Sequence, residues 1–119
     1  MFDNLKAMAG LAAVLRDMPR IKKRMEEVKQ SLGTICVEAD AGGGMIRVTC
    51  DGLLQVRRVR IDPRLLSTDT EQAMIESLVL EATNAALAKA RAAAEQELSR
   101  AAQELGLPLP TGALGGLLS

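Results

Sequence analysis

Apolar residues recur through the first third of the chain at Leu5, Met8, Leu11 or Ala12, Leu15 and Met18, and again after Pro19 at Ile21, Met25, Val28 and Leu32. Steps of three and four residues make a heptad-like seam, so residues 3 to about 32 are predicted to form an amphipathic helix. Asp3 or Asn4 can cap its start, and its opposite face carries Arg20, Lys22, Lys23, Arg24, Glu26, Glu27 and Lys29. Pro19 has no amide hydrogen and its ring crowds the preceding turn, which predicts a kink or a break there. Gly33 marks the helix end.

The period then drops to two. In ICVEAD, Ile35, Val37 and Ala39 alternate with Cys36, Glu38 and Asp40; in MIRVTCD, Ile46, Val48 and Cys50 alternate with Arg47, Thr49 and Asp51. These are two half-buried strands joined by Gly42, Gly43 and Gly44, whose backbone can take positive φ. For both apolar sets to share a face, paired residue numbers must sum to an odd value. Val37 opposite Val48 and Ala39 opposite Ile46 satisfies this and leaves the glycines in the loop. Cys36 then points outward and Cys50 inward, which excludes a disulfide between them.

Asp51-Gly52 signals a second reversal, into LLQVRRVRID. Here the phase breaks: Leu53, Val59 and Ile61 share one parity, Leu54 and Val56 the other. Either a bulge near Arg57 and Arg58 shifts the phase, or the second face of the sheet is partly buried, which requires cover such as a second copy of the chain. Asp62-Pro63 ends the strand. Thr68 and Glu71 form a capping box, opening a second helix to about Leu105 with apolar positions at Met74, Leu78, Ala82, Ala85, Ala86, Ala93, Leu98, Ala101 and Leu105. Some 36 helical residues span roughly 54 Å, so the outer half is expected to project or to pack on another chain. The pattern defines an α+β fold in the order α-β-β-β-α: residues 1–105 as a single domain, followed by a flexible Gly/Pro/Leu tail over 106–119.

Composition narrows the function. Of the 119 residues 48% are hydrophobic, nearly all Ala, Leu, Val, Ile and Met; Phe2 is the one aromatic residue, and there is no His, Trp or Tyr. The chain therefore lacks the commonest general base, the commonest transition-metal ligand and the aromatic walls of an organic-ligand pocket. No catalytic residue, cofactor, metal or small-molecule substrate is expected. Two cysteines, no signal peptide and no apolar run near 18 residues point to a cytoplasmic protein that does not enter the membrane.

The formal net charge is zero, from 15 basic and 15 acidic residues. Residues 1–34 carry seven basic and four acidic groups, residues 35–66 five and four, and residues 67–119 three and seven. A balanced total argues against indiscriminate binding to a polyanion but leaves room for a local basic patch.

The triple glycine matches no phosphate loop, because it sits between two strands and aims no helix N-terminus. Glu38, Asp40, Asp51 and Asp62 read as solvated carboxylates. Arg57, Arg58 and Arg60, with Arg47 and Arg64 nearby, are a different matter. If the sheet face carrying Arg58 and Arg60 is open, it offers several guanidiniums suited to backbone phosphates; the competing reading is a charged edge that prevents aggregation. Lys22, Lys23 and Arg24 on the first helix are a second candidate patch. Without aromatic stacking platforms, nucleic-acid binding would be to duplex backbone, weakly selective and salt-sensitive.

The words GGGMIRVTCDG (42–52), RRVRIDPRLL (57–66) and ESLVLEATNAAL (76–87), supported by LKAMAGL and the Leu-Pro-Gly tail, resemble the YbaB/EbfC family of bacterial nucleoid-associated proteins. The resemblance covers most of the chain. It implies a small cytoplasmic, nucleoid-located homodimer, tweezer-shaped, with a central β region and protruding helices, that binds double-stranded DNA without catalysis and affects nucleoid organisation or gene expression. Lys22, Lys23, Arg24, Arg57, Arg58 and Arg60 are then the expected DNA contacts. The alternative is a protein-interaction or scaffold module that uses its helical seams, with DNA contact incidental.

Overall fold

In the computed structural model, which describes residues 2–67 and 69–106, the chain forms helix α1 (Phe2–Thr34), strands β1 (Cys36–Ala41), β2 (Ile46–Asp51) and β3 (Val56–Ile61), a short 3-10 turn (Pro63–Leu66) and helix α2 (Gln72–Glu104). The strands make one antiparallel meander in the order β1-β2-β3, so the α-β-β-β-α order read from the sequence holds. Of the kink or break expected at Pro19, the break does not occur: helix α1 runs through the proline. The proline removes a single hydrogen bond and the helix continues on both sides. The proposed capping box does not open α2: Glu71 occupies the cap position without a side-chain bond, and Thr68 lies outside the described residues.

The first hairpin keeps the predicted parity but not the predicted pairs. Val37 lies opposite Cys50, Ala39 opposite Val48 and Ala41 opposite Ile46, a shift of two residues from the expected register. A two-residue shift leaves every side chain on its own face, and here it draws Ala41 into the ladder and tightens the loop. Gly42, Gly43 and Gly44 take φ of +63°, +66° and +91°, three successive left-handed residues that only glycine adopts at little cost. The cysteines are both free, Cys36 exposed and Cys50 buried.

The phase break in the third strand is a bulge. Thr49 pairs with Arg58 but Cys50 pairs with Val56, so Arg57 is the extra residue and the two parities are reconciled. Strand β3 is also shorter than the apolar run suggested, because residues 53–55 belong to the turn. Asp51 organises that turn: its buried carboxylate accepts the backbone N–H of Leu53 at 2.9 Å and of Gln55 at 3.0 Å.

Helix α2 lies across β1 and β2. Ala82, Ala86 and Ala90 recur every four residues and are fully buried; their small side chains let the helix approach the sheet closely. Beneath them Ile46, Val48 and Cys50 form the core with Leu65. Ile46 and Val48, fully enclosed, contribute about 1.5–3 kcal/mol each through burial.

The outer half of α2 packs within its own chain, on α1. Its Ala94, Leu98 and Ala101 pack on Val28 and Leu32 of α1 in a second core cluster. Arg24 reaches Glu104 at 2.8 Å, and the Ser31 hydroxyl donates to Glu97 at 3.3 Å, fastening the two helices. The projecting arm is the N-terminal part of α1. The expectation misassigned it because α2's alanine stripe runs the length of the helix and its periodicity does not show which stretch meets the sheet and which meets α1.

Candidate nucleic-acid interface

One face of the sheet is covered by α2; among the described residues no helix lies on the other. Strand alternation places Cys36, Glu38 and Asp40 of β1, Arg47 and Thr49 of β2, and Arg58 and Arg60 of β3 on that uncovered face. Arg60 sits directly opposite Arg47 and Arg58 opposite Thr49. Two guanidinium stems thus stand side by side across one strand pair, with a third one step along the same strand. Like charges directly opposed destabilise a sheet, so their juxtaposition calls for an anion or for local carboxylates. Part of the answer is local: Arg47 contacts Glu38 across β1 at 3.5 Å and the Gly44 carbonyl at 3.4 Å. Arg58 and Arg60 are exposed, and among the described residues neither forms an ion pair. Arg47 and Arg60 also line an open groove of about 310 Å³ with Gly44, Met45, Ile61, Asp62 and Pro63.

Arg57 behaves differently from its neighbours. As the bulged residue it turns to Asp51, whose carboxylate accepts from its Nε at 2.6 Å. Burial by itself would raise the Asp51 pKa. The bonds it accepts from the Gln55 N–H, Arg57 and the Leu53 N–H outweigh that cost and hold it below the usual carboxylate range. Arg57 therefore neutralises the buried anion that shapes the turn while its own outer edge remains exposed. Arg64 is exposed and grips Asp62 through two bonds, of 3.1 Å and 2.8 Å, drawing that carboxyl down to about 2, mainly through the guanidinium hydrogen bonds.

On α1, Lys22 and Lys23 are exposed and form no ion pair among the described residues. Arg24 is largely covered and spent on protein contacts, with Glu27 at 3.3 Å and Glu104 at 2.8 Å. Its Nε is buried without a partner. The six residues named from the sequence thus fall into two exposed groups, Arg58 with Arg60 and Lys22 with Lys23, and two that brace the fold, Arg57 and Arg24. Sequence reasoning gave Arg47 a minor place, although the strand pairing puts it at the centre of the sheet patch. The signal was present in the parity that sets Arg47, Arg58 and Arg60 on one face.

The edges of this architecture are apolar. On β3, Val59 lies opposite Val48 and Ile61 opposite Ile46, so both face the α2 side, yet α2 does not reach them and they stay exposed with Val56. Cys50 faces the core, and burial followed by the neighbouring Asp51 charge pushes its thiol up, which makes it an inert packing group. No group of three or more His, Cys, Asp or Glu side chains among the described residues is placed to hold a metal ion. No described helix is long and apolar enough to cross a membrane.

A helix-backed sheet with arginines on its bare face and an apolar strand at its edge defines a small α+β protein with an exposed cationic patch. Comparison with known proteins defines the class more closely. Residues 8–105 match the model of the YbaB/EbfC DNA-binding family. The chain is 38% identical over 95 residues to a nucleoid-associated protein of Anaeromyxobacter sp. (strain Fw109-5), covering 80% of this chain and 91% of the relative. It is 40% identical over 102 residues to a nucleoid-associated protein of Bordetella avium (strain 197N), covering 86% and 91%. The crystal structure of an uncharacterized Helicobacter pylori protein shares the fold, with a TM-score of 0.54 at 19% identity over 66% of this chain and 90% of that one. The chain belongs to the YbaB/EbfC family, a family of nucleoid-associated DNA-binding proteins rather than of enzymes.

Proposed function

We propose that this protein binds duplex DNA with low sequence selectivity, as a homodimer and without catalysis, in the cytoplasm at the nucleoid, and that it thereby affects nucleoid organisation or gene expression. The observation that carries the reading is the cluster of Arg47, Arg58 and Arg60 on the uncovered sheet face, with Arg58 and Arg60 free of ion pairs among the described residues. Guanidiniums on a rigid strand suit phosphate oxygens, which fix position on a duplex but carry no base information. Lys22 and Lys23 supply further exposed charge. Arg57 and Arg24 contribute more through the turn and the helix pair they hold. Weak selectivity is expected because no described element is shaped to enter a groove with base-reading side chains.

The homodimer is supported by the bare β3 edge, where exposed Val56, Val59 and Ile61 sit beside an unpaired strand. Such an edge is an aggregation hazard unless it is covered. Sedimentation at low micromolar concentration is expected to show twice the 12.7 kDa chain mass, and a monomer there would contradict the dimer.

For DNA binding the test is a gel shift on duplex of arbitrary sequence, run alongside Arg58→Glu/Arg60→Glu. Charge reversal is expected to abolish the shift while leaving the far-ultraviolet spectrum intact. Wild-type protein that fails to shift DNA at about 50 mM salt and micromolar concentration would refute the reading, because phosphate contacts are strongest there. The scaffold alternative rests on the exposed apolar seam of α1. It predicts a protein partner retained after nuclease treatment and unaffected by the arginine reversals.

A further inference from the structure

The seam along α1 changes character at one point. Where α2 runs beside it Val28 and Leu32 are enclosed, at 1% and 6% exposure; Met25, a turn earlier, is already open at 47%, and beyond the end of α2 Met18 stands at 47% and Leu15 and Leu11 at 61%. Met8 and Leu5 continue the exposed row. The two helices run antiparallel, since Val28 and Leu32 meet Ala94, Leu98 and Ala101 while Arg24, a turn earlier in α1, meets Glu104. Helix α2 therefore ends beside Arg24, and the row from Met18 back to Leu5 lies beyond it. Gly106, at φ +71°, ends it with its N–H bonded to the Gln103 carbonyl.

Beyond Gly106 the chain continues as LPLPTGALGGLLS, residues 107–119, with leucines at 107, 109, 114, 117 and 118 and no charged side chain. We propose that this segment docks intramolecularly on the exposed α1 seam between Leu5 and Met18, completing in extended form the cover that α2 provides lower down. The reach is sufficient. Thirteen residues extend to about 43 Å, and the thirteen-residue step from Leu5 to Met18 is about 20 Å of helix. The chemistry matches too: the seam is Met and Leu, whose flexible side chains accept irregular apolar partners, and an uncharged Leu-rich segment carries no charged side chain that must be desolvated at cost. Leu105, two residues before the segment, lines a groove at the foot of the seam with Arg20, Lys23, Arg24, Glu27 and Glu104. Docking there would leave Lys22 and Lys23 as the charged flank of an arm whose apolar side is closed.

The test is amide hydrogen exchange on the full chain and on the variant Leu114→Ser/Leu117→Ser/Leu118→Ser, each at low micromolar concentration and at a hundredfold higher. Residues 4–18 are expected to exchange at least tenfold faster in the variant, at both concentrations alike, while the amides of β2 keep their protection and report that the fold is intact. Exchange over residues 4–18 that the substitutions leave unchanged would overturn the proposal. So would protection that appears only at the higher concentration and survives the substitutions, which assigns the seam to a second copy. Tail-dependent protection that vanishes on dilution would place the segment on a neighbouring chain and equally overturns docking within one molecule.

Discussion

The salt dependence of DNA binding is the measurement in which the sheet patch can be counted. Each phosphate neutralised on duplex DNA contributes about −0.9 to the slope of log affinity against log salt. Arg58 and Arg60 are the sheet cations without ion pairs among the described residues, and Arg47 is partly held by Glu38. Counting only Arg58 and Arg60, a homodimer presents four contacts and a slope of about −3.6, so affinity falls roughly 150-fold between about 50 and 200 mM salt. Arg58→Ala/Arg60→Ala removes all four. The slope is then expected to flatten toward the small remainder from Arg47, Lys22 and Lys23. Fluorescence anisotropy with a labelled duplex at five or six salt concentrations reads both slopes directly. A double variant that binds more weakly but keeps the wild-type slope would refute the reasoning, because affinity would have been lost without releasing fewer counterions. An Arg57→Ala protein serves as the contrast: the guanidinium bound to Asp51 is expected to change the slope by less than either neighbour does.

The remaining predictions concern the frame that holds the patch. Asp51→Ala withdraws the acceptor from the Leu53 and Gln55 N–H groups and from Arg57; leaving such donors unmet costs about 1–3 kcal/mol in urea unfolding. Arg57→Ala is expected to cost less than about 1 kcal/mol, since its side chain is more than half exposed and water replaces it, so a larger loss than for Asp51→Ala would contradict the assigned roles. Three carboxyls have lowered pKa values: Asp62 through its bonds from Arg64, and two that brace the fold, Asp51, where accepted bonds overcome burial, and Glu97, chiefly through its bond from Arg100. A folded pKa below the unfolded value, about 4 for these groups, gives stability that is fully present above it and is lost as pH falls through the folded pKa. The urea midpoint should therefore hold from about pH 5 upward and drop below about 4, with Asp51→Asn and Glu97→Gln each shallowing the drop; a midpoint that rises on acidification would reverse the sign. At Gly52 an added Cβ would lie 2.5 Å from the Leu32 carbonyl oxygen, so Gly52→Ala is expected to destabilise by about 1–3 kcal/mol. Gly10→Ala meets nothing within 4 Å in mid-helix, and should strengthen the arm by up to about 1 kcal/mol; equal effects at the two glycines would show that the close approach at Gly52 is not felt.

Much of this is legible in the residues because strands report their faces through a period of two. Parity alone assigns Ile46, Val48 and Cys50 to the core and Arg47, Arg58 and Arg60 to the other side, and it flags the bulge that falls at Arg57. Parity is blind to shifts of two, however, and the exact pairing of the first hairpin depends on whether Ala41 joins the ladder, a matter of loop closure. The helices are less readable. A stripe of alanines every four residues says that something packs closely against α2 but not what, so the half that meets α1 reads as a projection. The fates of Arg24 and Arg57 are hidden for a related reason. Their partners, Glu104 and Asp51, lie across a helix pair and across a hairpin, and a cation's sequence neighbours do not show whether a carboxylate reaches it through space.

Three surfaces are left without partners inside the chain's described residues, and their chemistry separates what each can take. The bare sheet face offers fixed guanidiniums with little apolar area, which suits a polyanion and would be a poor seat for a protein core. The β3 edge offers Val56, Val59 and Ile61 beside unpaired backbone groups, a combination that another strand satisfies and DNA does not. The α1 arm offers Met and Leu in a helical row with no backbone to pair, which suits an apolar segment or helix. Charge on one surface and apolar area on the other two means that covering the edges does not compete with DNA for the arginines. A dimer through β3 would carry two such faces, doubling the phosphate contacts without adding a single cation to a chain whose total charge is zero. Local placement rather than net charge therefore decides whether this neutral protein can hold a polyanion.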